Sequence, residues 1–464
     1  MTPPPISNVA SLAPAGWESS LAGRFMSALF RAYYDESVRY AVLRNYERWP
    51  EHFGKDVDLV VHRNDLPVSH AIVQRIAAEQ GLVWTVRAKR SGHVTYYVTP
   101  RTPDGAESGL LLDLRPDVVH QGFVYLPGER VLDSRRLDHG GFYVPSAALE
   151  SLGILLHCVL DARTVRESYR ARLLELGLGD PTEFRAVAES IVGRKLALAL
   201  AEAVDAGAPE RALQLRGALF RACALRNPEA PKRWLRSRAG AVADKLRATL
   251  RPPGHLVILV GPDGCGKTTS AELVCERFAA TRVPVSAVYL GAQKPLLPTR
   301  KLSQKLRKRR AQAGAPREIK DVNRRQRLRG LVHIMADKWA RYLLQVRPRL
   351  VRGEVVVLDR YFYDLRVFPH PLVRKGWVER VVMACIPEPA LAFCLTADPA
   401  LITARKNELT VAETTRQIEC YRGLRRWVLN FGELPADGDR PKVIDRIAGD
   451  VLALYASHRA PERI

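Results

Sequence analysis

His255-Leu256-Val257-Ile258-Leu259-Val260 runs directly into Gly261-Pro262-Asp263-Gly264-Cys265-Gly266-Lys267-Thr268-Thr269. An apolar run, a glycine-rich turn closing on Gly-Lys-Thr, and then Ala271, Val274, Cys275 and Phe278 at helical spacing predict a phosphate-binding loop between a strand and a helix. The glycines leave room for backbone N–H groups to turn inward around phosphate oxygens. Lys267 is placed to reach the β- and γ-phosphates of a nucleotide and the Thr268 hydroxyl to bind Mg²⁺. The following helix presents its positive end to the anion. The expected cofactors are therefore ATP and Mg²⁺, with Gly261, Gly264, Cys265, Gly266, Lys267, Thr268 and Thr269 as the residues that bind them.

Outward from this loop, the chain of 464 residues is too long for one ordinary core, and two or three domains are expected. Residues 1–145 read as a small α+β domain: a helix over Leu21 to Tyr34, a strand at Tyr40 to Leu43, and an alternating strand in Gly54-Lys55-Asp56-Val57-Asp58-Leu59-Val60-Val61. A hairpin-like pair, Val83 to Ala88 with His93 to Val98, and a short strand at Leu110 to Leu114 complete it. Residues 146–250 change to helices rich in Ala, Leu and Arg, and Arg251-Pro252-Pro253-Gly254 marks the next boundary. Residues 251–464 alternate strands with helices, which predicts an α/β fold with a doubly wound parallel sheet. Its expected strands are Leu256 to Val260, Val285 to Leu290, Val355 to Leu358 and Leu391 to Leu395, and its long helices Asp321 to Gln345 and Val411 to Phe431.

The seven cysteines form no CxxC or Cys/His cluster, and most lie inside apolar patterns, as reduced core residues do. No run reads as a signal peptide or a membrane span, so the expected location is cytoplasmic. The net charge of +23 is concentrated between Arg300 and Arg352, where 18 Lys and Arg face only Glu318, Asp321 and Asp337. That segment reads either as a solvated helix face or as a binding surface for an anionic partner, a nucleic acid or an acidic membrane. A small-molecule phosphate acceptor and a second copy of this chain in a homodimer are the other partners left open.

Val355-Val356-Val357-Leu358-Asp359-Arg360-Tyr361 is the second informative stretch. A strand ending in an acid delivers its carboxylate to the carboxyl edge of an open sheet, where such folds bind ligands. Asp359 is placed either to organise Mg²⁺ or to act as a base toward an acceptor hydroxyl, and Arg360 to clamp an anionic acceptor.

The phosphate loop with the later Leu358-Asp359-Arg360-Tyr361 resembles the thymidylate kinase superfamily, over Leu256 to about Tyr455. The resemblance implies that Asp263 points toward the acceptor and that Arg360 contacts its phosphate. Thr396-Ala397-Asp398-Pro399 through Ala404-Arg405-Lys406 is similar to that family's strand and the start of its lid, which implies a charge-stabilising role for Arg405. Where the family carries Arg-Glu-Pro, this chain reads Tyr289-Leu290-Gly291-Ala292-Gln293-Lys294-Pro295. A long basic insertion follows, from Leu296 to Asp321. Asp359-Arg360-Tyr361-Phe362-Tyr363-Asp364 followed by Arg405-Lys406-Asn407-Glu408-Leu409, with Arg416, Gln417 and Tyr421, is more similar to a divergent thymidylate-kinase-like group found with bacterial surface-polysaccharide genes. Tyr363 and Tyr421 read first as core packing.

Asp56 and Asp58, two apart on a strand, project from one face, and Asp113 on another strand is placed to complete a three-carboxylate metal site. This pattern resembles the nucleotidyltransferase fold. The Gly-Ser signature that precedes the strand there is replaced by Leu43-Arg44-Asn45-Tyr46, so a working transferase and a degenerate recruiting or structural domain both stand. His93, His120, His157 and His333 have no partners at metal-ligand spacing and read as ordinary core or surface residues.

The expected activity is thus transfer of the γ-phosphoryl group of ATP to a nucleotide, sugar or sugar phosphate, with Lys267, Asp359, Arg360, Arg405 and Asp263 as catalytic residues and Thr268, Asp359, Asp56, Asp58 and Asp113 as metal ligands. The alternatives are a polynucleotide-end kinase and an ATP-binding regulatory switch with little turnover.

Overall fold

The computed structural model describes residues 16–54, 56–88, 93–101, 108–226, 230–279, 281–291, 296, 324–367, 376–405, 410–436 and 438–457. Two compact units divide the described chain, one reaching Asp244 and the other beginning at Lys245.

In the first unit, β1 (Tyr40–Val42), β2 (Val57–Val61), β3 (Val83–Ala88), β4 (Val94–Thr99) and β5 (Leu110–Arg115) form a five-stranded sheet in the order β1-β2-β5-β4-β3. Only β2 and β5 run parallel within it, and their register sets Asp58 beside Asp113. Every residue of β2 is buried, so alternation is not needed to hold the strand in place. Helix Leu21–Asp35 starts where the Ser20 side chain accepts from the Gly23 N–H at 3.1 Å, and it buries Leu21, Phe25, Met26 and Leu29 on one side.

Two short ribbons follow, β6 (Val118–His120) with β7 (Phe123–Leu126) and β8 (Arg136–Leu137) with β9 (Tyr143–Val144). The helical stretch then packs into the same unit. Leu149, Leu152, Leu155 and Leu156 of helix Ala147–Leu156 share one core with Ala41, Leu43 and Val60 of the sheet region and with Phe184, Leu200 and Leu219 of later helices.

The second unit is a five-stranded, fully parallel sheet of β10 (His255–Val260), β11 (Val285–Tyr289), β12 (Val355–Asp359), β13 (Leu391–Thr396) and β14 (Phe431–Pro435), in the order β11-β12-β10-β13-β14. Central strands β10 and β12 are buried throughout, as a parallel strand covered on both faces must be. The strand order reverses beside β10, which puts the crevice for a ligand at the carboxyl end of that strand.

Two sequence expectations are corrected here. The helix expected over Val411 to Phe431 ends at Arg422, followed by a short 3₁₀ turn at Gly423–Arg426. Phe431, expected as the end of that helix, instead opens β14. Thr410 caps the start of this helix, its Oγ1 accepting from the Glu413 N–H at 3.3 Å, while the Glu413 carboxylate accepts from Arg416 and Gln417. The second helix covers Arg324–Arg341 and continues through a wider turn at Tyr342–Val346 into Arg347–Val351. Most of the Leu296–Asp321 insertion lies outside the described residues. Among the described residues no helix is long and apolar enough to cross a membrane.

Candidate active site

The loop leaves β10 at Gly261 with φ 148°, and Gly264 and Gly266 have φ 96° and 88°. A Cβ on Gly261 would lie 2.4 Å from the Leu395 carbonyl oxygen and 2.9 Å from Cys265 Sγ. Close packing against β13, not only freedom of rotation, therefore demands glycine there. Gly261→Ala is expected to lose about 1–3 kcal/mol from backbone strain alone, with the clash adding to it, and a lowered Tm would show it.

Lys267 begins helix Lys267–Arg277 and is buried. Its Nζ donates to the carbonyls of Gly261 at 2.9 Å and Pro262 at 2.6 Å and lies 3.8 Å from Asp263 Oδ1, so the ammonium is drawn back over the loop. Cys265 Sγ lies 3.7 Å from the same Nζ, and burial pushes that thiol above its ordinary value despite Lys267 beside it.

Asp359 closes β12, opposite Leu259 of β10 and Tyr289 of β11. The Thr268 hydroxyl donates to Asp359 Oδ2, while Oδ1 is buried with no partner. Burial raises the Asp359 carboxyl above its ordinary value, against the opposing pull of Thr268 and Lys267. A buried carboxylate oxygen left unpaired beside a threonine hydroxyl, at the end of the glycine-rich loop, is a donor set suited to a hard divalent cation. Thr268 and Asp359 therefore fit Mg²⁺.

Arg360 follows with φ 69°, a left-handed conformation that costs free energy in a non-glycine residue. That twist aims the guanidinium at Asp263, to which Nη2 donates, and leaves Nη1 3.7 Å from Asp364 Oδ2. The two residues for which the family resemblance implies acceptor contacts thus pair with each other. Asp364 also accepts from the Tyr421 hydroxyl at 3.1 Å and faces Lys338 Nζ at 3.8 Å. Tyr363 and Tyr421 are both core residues, and Tyr421 reaches the site as well.

Lys338 and Arg341, counted from sequence among the charges of the basic segment, are buried. Lys338 Nζ donates to the Tyr361 carbonyl at 2.9 Å, and Arg341 donates to the carbonyls of Gly291 at 2.7 Å and Tyr289 at 2.6 Å. They fix the chain ends beside Asp359 and leave that much less charge for an outside partner. Residues 297–323 of that segment lie outside the described residues, as do Ala292 to Pro295. Arg405 ends helix Pro399–Arg405, and its side chain also lies outside the described residues.

In the first unit the ligand atoms of Asp56, Asp58 and Asp113 lie within 4.8 Å of one another. Their neighbours are cationic. Arg44 donates to Asp58 Oδ2 through Nε at 3.1 Å and Nη2 at 2.8 Å, and Arg115 Nη2 bridges Asp58 Oδ1 and Asp113 Oδ2. Asp113 Oδ1 accepts from the Thr95 hydroxyl at 2.5 Å and meets His93 Nε2 at 3.0 Å. Burial alone would raise the Asp58 carboxyl, but Arg115 and Arg44 hold it below the ordinary value. Asp56, without such contacts, is raised by burial and by Asp58.

The stretch that stands where the Gly-Ser signature would be is anchored within the unit. Asn45 has φ 64°, and the Tyr46 hydroxyl donates to Glu150 Oε2 at 2.5 Å while Arg172 Nε donates to Glu150 Oε1 at 2.8 Å. Three histidines expected to be unremarkable core or surface residues have carboxylate partners. His93 meets Asp113, and His120 and His157 meet Asp161 at 2.5 and 3.3 Å. Tyr125 donates to the same Asp161 at 2.8 Å. Burial opposes it, yet these contacts hold the Asp161 carboxyl well below its ordinary value. Of these pairs His157 with Asp161, four residues apart, is local in sequence, whereas His120 and Tyr125 reach Asp161 only through the fold.

No protein-family model matches this chain, and no curated protein does. Among solved structures it is similar to a thymidylate kinase from Candida albicans, reported for its broad substrate specificity and a novel structural element, at 15% identity over 44% of this chain and 93% of that one, with a TM-score of 0.33.

Proposed function

We propose that the second unit transfers the γ-phosphoryl group of ATP to a small acceptor, a nucleotide, sugar or sugar phosphate. The observation that carries this reading is the pairing of the Thr268 hydroxyl with Asp359, whose other carboxylate oxygen is buried and unpaired beside the glycine-rich loop. Thr268 and Asp359 would hold Mg²⁺, which neutralises phosphate charge when bound. The loop amides and Lys267 bind and orient the donor phosphates, and catalysis of this kind is mainly positioning and electrostatics.

Arg360 and Asp263 lie on the acceptor side. An anionic acceptor competes with Asp263 for the guanidinium, and Asp263 released from that pair is free to accept from an acceptor hydroxyl. Arg405 at the end of its helix belongs to the same reading as a cation that closes over the transferred group. The first unit enters as a nucleotidyltransferase-like domain in which Arg44 and Arg115 occupy the carboxylates that a cation would need.

The test is a panel of nucleoside monophosphates, sugars and sugar phosphates incubated with ATP and Mg²⁺, read as ADP formed and as product mass. One acceptor is expected to gain the mass of a phosphoryl group in step with ADP. ATP bound yet scarcely consumed across the whole panel would overturn the kinase reading in favour of a switch.

A further inference from the structure

Arg440 opens helix Arg440–Ser457, after the turn that leaves β14. The Ala436 N–H donates to the Thr396 carbonyl at 2.6 Å, which ties that turn to the carboxyl edge of the sheet. The helix packs along Lys267–Arg277, and Arg277 Nη2 meets Asp445 Oδ1 at 3.1 Å. This brings a guanidinium to the phosphate loop. A Cβ built on Gly266 would lie 3.8 Å from Arg440 Nη2, with open space otherwise.

Arg440 is exposed, and among the described residues its guanidinium has no partner. The nearest acid in sequence, Asp439, has its Oδ2 3.2 Å from Lys442 Nζ. The other cations near the loop are engaged: Lys267 with two carbonyls and Arg360 with Asp263 and Asp364. An unpaired guanidinium beside the glycine-rich turn adds positive potential at that turn. Such an arrangement is favourable when a polyphosphate is present, since the planar fork of arginine matches phosphate oxygens.

We propose that Arg440 is a donor-binding residue that contacts the phosphate chain of a nucleoside di- or triphosphate seated on Gly264 to Thr269. This inference rests on the reading above, that the loop binds ATP. Arg440 reaches the loop from the β14 turn and Arg360 from the end of β12, so Arg440 governs affinity for the donor and not transfer to the acceptor.

The experiment measures binding of ATP, ADP and AMP by titration calorimetry, and KM and kcat with the best acceptor, for the wild-type protein and Arg440→Ala, Arg440→Lys and Lys267→Ala. Arg440→Ala is expected to weaken ATP and ADP binding about 10- to 100-fold, as loss of a charge-assisted contact does. AMP binding is expected to change little, KM for ATP to rise with kcat within about twofold, and Arg440→Lys to recover part of the loss. ATP binding unchanged in Arg440→Ala but weakened in Lys267→Ala would overturn this inference and leave the ATP reading standing. Failure of the wild-type protein to bind ATP would overturn both.

Discussion

Lys267→Ala is expected to lower ATP turnover by at least about 10²-fold, roughly 3 kcal/mol of transition-state stabilisation, as removal of a charged donor from a preorganised site does. The structure explains why the loss is not made good by a neighbour. Lys267 Nζ is the buried cation drawn inside the loop, within reach of the Gly261 and Pro262 carbonyls at 2.9 and 2.6 Å, whereas Arg360 is engaged with Asp263 and Arg440 is exposed beside Gly266. Alanine leaves two inward carbonyls without their donor, so some stability is lost too. A melting curve separates the effects: turnover lost with Tm lowered by only a few degrees supports the catalytic role, and full turnover in the folded variant would end it. Thr268→Val is the companion test. It removes the hydroxyl that binds Asp359 while keeping the shape, and it is expected to raise the Mg²⁺ concentration needed for half-maximal activity.

What could be read from the residues alone follows from how local each signal is. The glycine-rich loop is contiguous, and β10 and β12 are apolar runs buried from end to end, so strand, loop and acid were all legible. β14 was not, because this edge strand is half-exposed and Phe431-Gly432-Glu433-Leu434-Pro435 carries neither a full apolar run nor strict alternation. Counting charge between Arg300 and Arg352 treated Lys338 and Arg341 as surface residues, since composition carries no burial. The convergence of Asp56, Asp58 and Asp113 was legible from strand periodicity, but Arg44 and Arg115 as their partners were not. Arg115 stands two residues beyond Asp113 on the same face of β5, a hint visible only once the pairing of β2 with β5 is known.

That carboxylate network carries the second large effect. Asp58→Ala is expected to cost the first unit about 3–5 kcal/mol, because it strands two guanidinium groups that are largely out of water. Asp58 itself is 2% exposed, and the side chains of Arg44 and Arg115 are 12% and 13% exposed. Arg115→Ala is expected to be comparably severe, since Arg115 bridges Asp58 and Asp113. Denaturant unfolding measures both, and a loss below about 1 kcal/mol would mean that solvent screens the pairs as it does on a surface. The pH dependence has a definite sign. Asp58 and Asp113 both titrate below the ordinary carboxyl value of 3.8 in the folded chain. Their contribution is therefore present in full above that value and is lost as pH falls through the depressed folded values. In Asp58→Ala the acid limb of the stability curve is expected to flatten. The same geometry makes a claim about metal. A divalent ion entering between Asp56, Asp58 and Asp113 has to displace Arg115 and Arg44, so Mg²⁺ at millimolar concentration is expected to raise the Tm of this unit little. A large Mg²⁺-dependent rise that Asp58→Ala abolishes would instead show the arginines giving way to a metal ion held by these carboxylates.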